Sequence, residues 1–163
     1  MRKKTGIFHI EWDEYDNSES LDAESKSIFE KARDVSQKAY APYSRFKVGA
    51  AVLLENGEIV LGSNQENAAY PNGICAERVA IFAAATQYPN NKIEKIAVAA
   101  YNERKERFVG GAPCGSCRQA ILEYEVRQKS PIQVIITTEG EKIIVFNKVE
   151  DLLPIAFSKK ELE

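Results

Sequence analysis

The chain has 163 residues, which is the length of a single domain. Hydrophobic residues make up 44% of the sequence and charged residues 28%, close to the averages for globular domains, so general disorder is excluded. The 24 Asp and Glu residues slightly outnumber the 22 Lys and Arg residues, and the net charge of −2 lacks the basic surplus of a typical nucleic-acid-binding protein. We therefore expect no nucleic-acid partner.

The cysteine content and the short apolar segments indicate in which cellular compartment the protein is expected. Three cysteines are an odd number for a disulfide framework, and two of them form the pair Cys114-Gly-Ser-Cys117, which is typical of a metal or redox site in a reducing environment. The apolar stretch 6–10 is too short for a signal peptide, and no window approaches the roughly 20 apolar residues of a membrane span. The sequence predicts a cytoplasmic protein without a membrane segment.

Hydrophobic periodicity predicts the elements in chain order. Residues 1–19 are polar and acidic and are predicted to form an N-terminal extension with one candidate short strand; residues 20–163 are predicted to form a single catalytic domain. The domain begins with a helix that has Ser20 as its N-cap, continues to about Ala39 and is ended by Pro42. The later predictions are a hairpin of strands over 48–54 and 58–62, a helix over 75–87, a strand over 93–101, a solvated loop over 103–107, a helix over 114–128, strands over 132–138 and 142–146 joined by a turn at 139–141, and a short closing helix over 149–153.

This order of elements predicts the fold class. Crossovers from strand to helix to strand favour parallel pairing, with helices packed on both faces of the sheet. We expect an α/β fold, namely a three-layer α/β/α sandwich around a mixed sheet of about five strands. No internal repeat or linker divides the chain.

All three cysteines lie at the starts of predicted helices, where the helix dipole lowers the pKa of a thiol. Cys75, Cys114 and Cys117 could supply three sulfurs to one zinc ion, which leaves a fourth position open for water as in catalytic sites. Glu77 lies about 200° around the helix from Cys75, so it is placed to move protons above the ion rather than to bind it. A purely structural zinc, with His9 as a weak fourth ligand, and a redox pair remain alternatives.

Several strings together resemble one family. The segments Cys75-Ala-Glu77-Arg78 and Pro113-Cys-Gly-Ser-Cys117-Arg-Gln119 are similar to the metal and catalytic motifs of the zinc-dependent cytidine deaminases, specifically the small homotetrameric branch with three cysteine ligands. Residues 43–51, 64–71 and 152–157 resemble the family's strand motif, nucleoside-binding loop and C-terminal segment. The resemblance extends from about residue 27 to residue 162, with the motifs in the same order. Gln65 departs from it, because the family usually has an aliphatic residue there.

The resemblance implies an activity and a role for each matching residue. The expected reaction is the zinc-dependent hydrolytic deamination of cytidine and deoxycytidine to uridine and deoxyuridine with release of ammonia, a step of pyrimidine salvage. One Zn²⁺ per chain would be bound by Cys75, Cys114 and Cys117, Glu77 would be the proton shuttle, and Arg78 would balance the charge of the thiolates. The expected substrate-binding residues are Phe46, Asn64, Glu66, Ala76 (through its backbone) and Phe157, the last acting across a subunit contact in a homotetramer with shared active sites.

Other functions fit parts of the same sequence. A related deaminase of a nucleoside such as blasticidin S would use the same zinc and glutamate, although Asn64 and Glu66 favour a ribose. A polynucleotide editor and a non-catalytic zinc module are further alternatives. Taken singly, Asn64 and Glu66 also fit an ordinary polar loop, Phe46 a core position, Phe157 the packing of a tail, and Arg78 a helix surface.

Overall fold

The computed structural model describes residues 3–138 and 142–162, so the predicted turn at 139–141 lies outside the described residues. Seven strands and three α-helices are found within these ranges. In chain order they are β1 (Asp13–Tyr15), α1 (Ala23–Ser36), β2 (Phe46–Leu54), β3 (Ile59–Ser63), α2 (Ala76–Gln87), β4 (Ile93–Asn102), β5 (Arg107–Val109), α3 (Gly115–Gln128), β6 (Gln133–Thr137) and β7 (Ile143–Phe146). Short 3-10 helices lie at Ser18–Ser20, Tyr70–Asn72, Val149–Leu152 and Lys159–Glu161.

The strands form one mixed sheet in the order β1-β7-β6-β4-β2-β3, with β5 beside the end of β4. The pair β4–β6 is parallel and every other described pair is antiparallel, including the predicted β2–β3 hairpin. The prediction of about five strands was therefore low by two. The additional strands, each of three residues, are β1, which lies in the extension where one candidate short strand was predicted, and β5, which was not predicted. Both form by pairing along a longer strand rather than through a local apolar pattern.

The two faces of the sheet bury two separate hydrophobic cores, which confirms the three-layer arrangement. Along β2, Ala50 and Val52 pack into the core beneath α2 and α3, whereas Ala51 and Leu53 pack into the core beneath α1. This alternation is the two-residue period of an extended strand whose faces are both covered. The site described below lies on the side of α2 and α3.

Helix α1 begins later and ends earlier than the sequence indicated. Its N-cap is Asp22, whose Oδ1 accepts hydrogen bonds from the backbone N–H groups of Glu24 (3.1 Å) and Ser25 (2.9 Å). Ser20, the predicted N-cap, instead belongs to the 3-10 helix before it. A carboxylate two residues closer to the helix competes successfully because it satisfies two free N–H groups at once. The helix ends at Ser36, before the predicted stop near Pro42.

A glycine lets helix α2 lie close against the sheet. A Cβ atom at Gly62 of β3 would approach Ala76 O and Ala80 N within 2.5 Å, so any larger residue would push α2 away. This contact fixes the start of α2 directly over the sheet. Within the described ranges, no helix is both long enough and apolar enough to cross a membrane.

Candidate active site

The three cysteines lie at two helix N-termini on the same side of the sheet. Cys75 is the N-cap of α2, Cys114 is the N-cap of α3, and Cys117 is in the first turn of α3. Neither N-cap side chain makes a capping hydrogen bond. The sulfur atoms of Cys75 and Cys114 point toward each other instead, so these N-cap side chains are available to bind a metal rather than to cap the helices.

The sulfur positions fit a tetrahedral zinc ion. The Sγ atoms of Cys75 and Cys114 are 3.9 Å apart, those of Cys114 and Cys117 are 3.5 Å apart, and all three lie within 4.8 Å of one another. Three thiolates at the usual Zn–S distance in a tetrahedron would have their sulfurs about 3.8 Å apart. The donor set and its spacing therefore suit zinc with one coordination position left open.

Hydrogen bonds within the cluster shift the pKa values of two thiols in opposite directions. The hydrogen bond from Cys117 lowers the pKa of the Cys75 thiol to about 5, and further hydrogen bonds from Arg78 and Cys114 act in the same direction. The bond to Cys75 and burial raise the pKa of Cys117, whose side chain is wholly buried. An adjacent cation and a helix N-terminus favour the thiolate form that a metal requires.

Arg78 is the cation beside the sulfurs. Its Nη2 lies 3.9 Å from Cys75 Sγ, and this hydrogen bond is the main cause that raises the pKa of Arg78. The Nε atom of Arg78 is buried and has no hydrogen-bond partner among the described residues. A guanidinium with such a buried, unpaired N–H group is stabilised chiefly by neighbouring negative charge, which a trithiolate provides.

Glu77 lies in the first turn of α2 with only 3% of its surface exposed. It nevertheless lines the pocket that also contains Cys75 and Cys114. Burial is the main cause that raises the pKa of the Glu77 carboxyl. A buried carboxyl of raised pKa at a pocket wall is suited to exchange protons with a bound molecule near neutral pH.

The pocket has a volume of about 750 Å³, which is sufficient for a molecule of nucleoside size. Phe46, Val48 and Val98 form an apolar part of its wall. The polar part of the wall comes from the loop that follows β3, with Asn64 and Glu66. Cysteine sulfurs and the Glu77 carboxyl line the same cavity, so reactive and binding groups are close together.

The side chains of Asn64 and Glu66 make hydrogen bonds within the protein and still have hydrogen-bonding positions free for a ligand. The side chain of Asn64 accepts the N–H of Val48 (2.7 Å) and donates to Phe46 O (3.0 Å), which locks its orientation against β2. Each of its polar atoms still has one hydrogen-bonding position free by chemistry.

The Glu66 carboxylate holds the segment before β2. Its Oε2 accepts the N–H groups of Tyr43 (2.9 Å) and Ser44 (3.3 Å). Burial works against ionisation, but the hydrogen bonds from Ser44 and Tyr43 outweigh it and lower the pKa of Glu66. Glu66 therefore keeps its negative charge and its second oxygen at the pocket wall.

Two of the predicted substrate-binding residues do not line this pocket. Ala76 is fully buried and its methyl group packs into the core beneath α2, so only its backbone could act on a ligand. Phe157 is 59% exposed and lies outside the pocket of its own chain, where its carbonyl accepts a hydrogen bond from Gln119 (2.8 Å). Gln65, the departure from the family pattern, folds back and donates to Ser63 Oγ (3.1 Å).

The pocket also contains residues to which the sequence had assigned no role. Val48 and Val98 belong to adjacent strands, and their contribution to one wall depends on sheet register, which no short motif encodes. Tyr43 and Tyr70 meet edge to face at 6.2 Å and also line the cavity. Tyr43 and Tyr70 lie within residues 43–51 and 64–71, the segments that resemble family motifs, and this membership was the available signal.

Comparisons with known proteins agree with this geometry. The family model described as "Cytidine and deoxycytidylate deaminase zinc-binding region" matches residues 22–131. A cytidine deaminase of Sporosarcina psychrophila is 42% identical over 88% of this chain and 93% of its own length, and one of Halalkalibacterium halodurans is 38% identical over 83% and 95%. The crystal structure of cytidine deaminase from Burkholderia pseudomallei superposes with a TM-score of 0.67 at 37% identity, over 80% of this chain and 97% of that one.

An α/β/α sandwich with a cluster of three sulfurs beside a pocket and a buried carboxyl at the pocket wall defines a zinc-dependent enzyme. The extent and identity of the matches then decide the family. This chain belongs to the cytidine and deoxycytidylate deaminase family, and zinc is its metal.

Proposed function

We propose that this protein catalyses the hydrolytic deamination of cytidine and deoxycytidine to uridine and deoxyuridine, with release of ammonia. The observation that carries the proposal is the Glu77 carboxyl, which is buried at the wall of the same pocket that contains Cys75 and Cys114. Membership of the deaminase family supports the reaction type. Pyrimidine salvage in the cytoplasm is the role that suits this reaction.

Zinc would be held by Cys75, Cys114 and Cys117, one ion per chain. When bound there, it supplies a Lewis acid that makes water a nucleophile at neutral pH. Arg78 offsets the excess negative charge of three thiolates, because its guanidinium lies against Cys75 Sγ.

Glu77 moves the protons in the proposed reaction. Its carboxylate takes a proton from the attacking water and delivers one to N3 of the cytosine ring, and a second proton goes to the leaving amine. Its raised pKa brings its two protonation states closer in free energy, as such a shuttle requires.

The nucleoside is held by the remaining pocket residues. Phe46 offers an apolar surface for the base, while Asn64 and Glu66 bind the sugar hydroxyls with the hydrogen-bonding positions that their structural contacts leave free. Backbone groups at Ala76 are proposed to orient the base. Nothing in the described residues or in the relatives favours the blasticidin S alternative.

A direct assay tests the activity. Deamination of cytidine lowers its absorbance near 280 nm, and the assay is run with cytidine, deoxycytidine and blasticidin S on zinc-loaded protein. We expect turnover of the two nucleosides and not of blasticidin S. Loss of absorbance with blasticidin S alone would overturn the substrate assignment, and no turnover of any of the three would overturn the activity.

The proposed assembly is a homotetramer in which Phe157 of one chain stacks on the base bound by another. Large apolar side chains near the C-terminus and the pocket mouth support an interface, since Ile155 is 81% exposed and Tyr70 is 77% exposed. Truncation after Pro154 should impair turnover while zinc stays at one per chain. A fully active monomer in light scattering at assay concentration would refute this assembly.

The proposed domain organisation is an extension over residues 1–19 followed by one catalytic domain over 20–163. Part of the extension pairs with the sheet, because Asp13, Glu14 and Tyr15 of β1 lie opposite residues of β7. The ion pair of Lys142 with Glu14 (2.5 Å) and the contact of the Trp12 ring with Phe146 add to this pairing. Deletion of residues 1–12, which spares β1, should leave turnover unchanged.

A further inference from the structure

Helix α3 contacts both the cysteine cluster and the C-terminal segment. Its N-terminus holds Cys114 and Cys117, while Arg118 and Glu125 along the helix bond the backbone of the chain after β7. The Glu125 carboxylate accepts the N–H groups of Val149 (2.7 Å) and Glu150 (3.1 Å) and so holds the start of the 3-10 helix there. One helix therefore contacts the two parts of the protein that are assigned to metal binding and to assembly.

Arg118 lies between these two parts. Its Nε–H donates to Pro113 O at 2.8 Å, and its Nη1–H donates to Leu152 O at 3.1 Å. The Pro113 carbonyl belongs to the peptide group that joins Pro113 to Cys114. The Leu152 carbonyl ends the 3-10 helix and precedes the segment 153–162. One guanidinium thus bridges the backbone at a zinc ligand and the backbone at the base of the C-terminal segment.

We propose that Arg118 is a positioning residue that links the seating of segment 153–162 to the orientation of the zinc ligand Cys114. The inference rests on the proposed zinc-dependent function and adds a coupling between two regions. Arg118 acts through the Pro113 carbonyl, since its described hydrogen bonds go to backbone oxygens and none goes to a sulfur. Arg78, in contrast, contacts a sulfur directly.

The guanidinium is the group that this role requires. It is planar and presents N–H donors on separate edges at a fixed angle, so it can bond two carbonyls in different directions at once. An ammonium group at Arg118→Lys keeps the charge but is a compact point donor on a flexible stem. The Lys variant therefore removes the bridge and preserves the electrostatics.

The experiment compares zinc-loaded Arg118→Lys with wild type and with Arg127→Lys. Arg127 is the matched control because it lies on the same helix, is exposed, and stacks on Tyr124 far from the cysteines. Transfer of zinc to a chromophoric chelator measures the release rate, and the cobalt-substituted protein gives thiolate charge-transfer and d–d absorption bands. Removal of support for a metal ligand typically weakens binding 10- to 100-fold, so we expect release about tenfold faster in Arg118→Lys, with shifted cobalt bands.

Hydrogen exchange measures the other end of the bridge. In zinc-loaded Arg118→Lys, the amides of residues 153–157 should exchange faster than in wild type or Arg127→Lys. Arg118→Gln, which keeps one neutral donor group, should change both measurements in the same direction. These readouts need no turnover, so a failure of the deamination assay would leave them interpretable.

The outcomes separate the two proposals. Faster release, shifted cobalt bands and faster exchange together support the link. Wild-type release and wild-type bands in Arg118→Lys overturn it even if cytidine is deaminated. A change at only one end of the bridge overturns it as well, because a bridge must affect both of its ends.

Discussion

Helix α1 and helices α2 and α3 begin in opposite ways. At α1, the N-cap Asp22 turns its carboxylate inward and accepts two backbone N–H groups. At α2 and α3, the N-caps Cys75 and Cys114 make no capping hydrogen bond, and their sulfurs lie 3.9 Å apart across the gap between the helices. A missing cap typically costs about 1 kcal/mol. The starts of α2 and α3 are therefore less stable than a capped helix start, at the positions where the sulfurs are needed as metal ligands.

The second helical residue repeats the contrast. Glu24 of α1 and Glu77 of α2 each stand two positions after the N-cap, where a negative charge is favoured by the helix dipole. Glu24 is exposed and pairs with Lys95 at 2.7 Å, whereas Glu77 is buried at the pocket. The same position in a helix therefore contributes an ion pair to stability in α1 and a buried carboxyl to the site in α2. The tertiary surroundings of the two glutamates cause this difference.

The largest expected effect tests this contrast between the two glutamates. Glu77→Gln keeps the shape of the side chain but cannot move protons, and two proton transfers worth at least 10²-fold each predict a loss of about 10⁴-fold in kcat, or about 5.5 kcal/mol of barrier. Zinc content and nucleoside binding should persist. Glu24→Gln is the matched control and should retain full activity. The measurements are steady-state kinetics and metal analysis; a Glu77→Gln rate within tenfold of wild type would remove Glu77 from the mechanism.

The third helical residue gives the next largest effect. Cys117 of α3 and Ser25 of α1 each stand three positions after the N-cap, and both are buried. Cys117→Ala removes one of three sulfurs and should weaken zinc binding more than 100-fold, beyond the usual effect of losing a supporting group. Ser25→Ala should keep one zinc per chain. Chelator competition measures both, and unchanged zinc affinity in Cys117→Ala would show that the ion is bound elsewhere.

A smaller effect is expected from the carboxylates that bond to loops. Glu66→Gln should lower kcat/KM for cytidine by about 10- to 100-fold, because a charge-assisted hydrogen bond of about 1.5–3 kcal/mol to the sugar is lost. Glu55→Gln is the control, since Glu55 also accepts a backbone N–H, that of Lys92 at 3.0 Å, outside the pocket. Equal kinetics for both variants would reduce Glu66 to a loop residue.

The smallest effect concerns the cap on the other face. Asp22→Ala should lower the free energy of unfolding by about 1 kcal/mol at pH 7 and leave the activity unchanged. The side-chain and backbone hydrogen bonds from Ser25 hold the pKa of Asp22 below its ordinary value of 3.8, so the stabilisation is full above that pH and disappears as the pH falls through the lower folded value. Urea unfolding at pH 7 and pH 3 tests this sign. A difference between wild type and variant that grows at pH 3 would contradict it.

The sequence predictions were accurate for elements that depend on nearby residues and less accurate for elements that depend on distant parts of the chain. The β2–β3 hairpin depends on a local turn with Gly57 at φ 82°, and it was predicted correctly. The cap of α1 was misassigned between Ser20 and Asp22, because both are good N-caps and only the path of the preceding chain decides between them. Strand β5 was not predicted, and β1 was predicted only as a candidate strand without bounds, because three residues form a strand only when a neighbouring strand is in place.

The sequence alone determined the chemistry that short motifs encode. Cys75 with Glu77, and Cys114 with Cys117, are each set by spacing within one helical turn, and that spacing is enough to predict thiolates at helix starts with an acid beside them. The α/β class also followed from the order of local patterns. Such features depend on residues a few positions apart, so they can be recognised in the sequence without knowledge of the tertiary structure.

The tertiary structure decided which residues contact these motifs. Cys75 and Cys114 are 39 positions apart, and their sulfurs converge because α2 and α3 pack on the same face of the sheet. The register of β2 and β4 places Val48 and Val98 in one pocket wall, and the pairing of β7 with β6 brings the C-terminal chain to Arg118. These contacts join distant parts of the chain, and the free energy that selects them comes from burying whole layers, which no local segment contains.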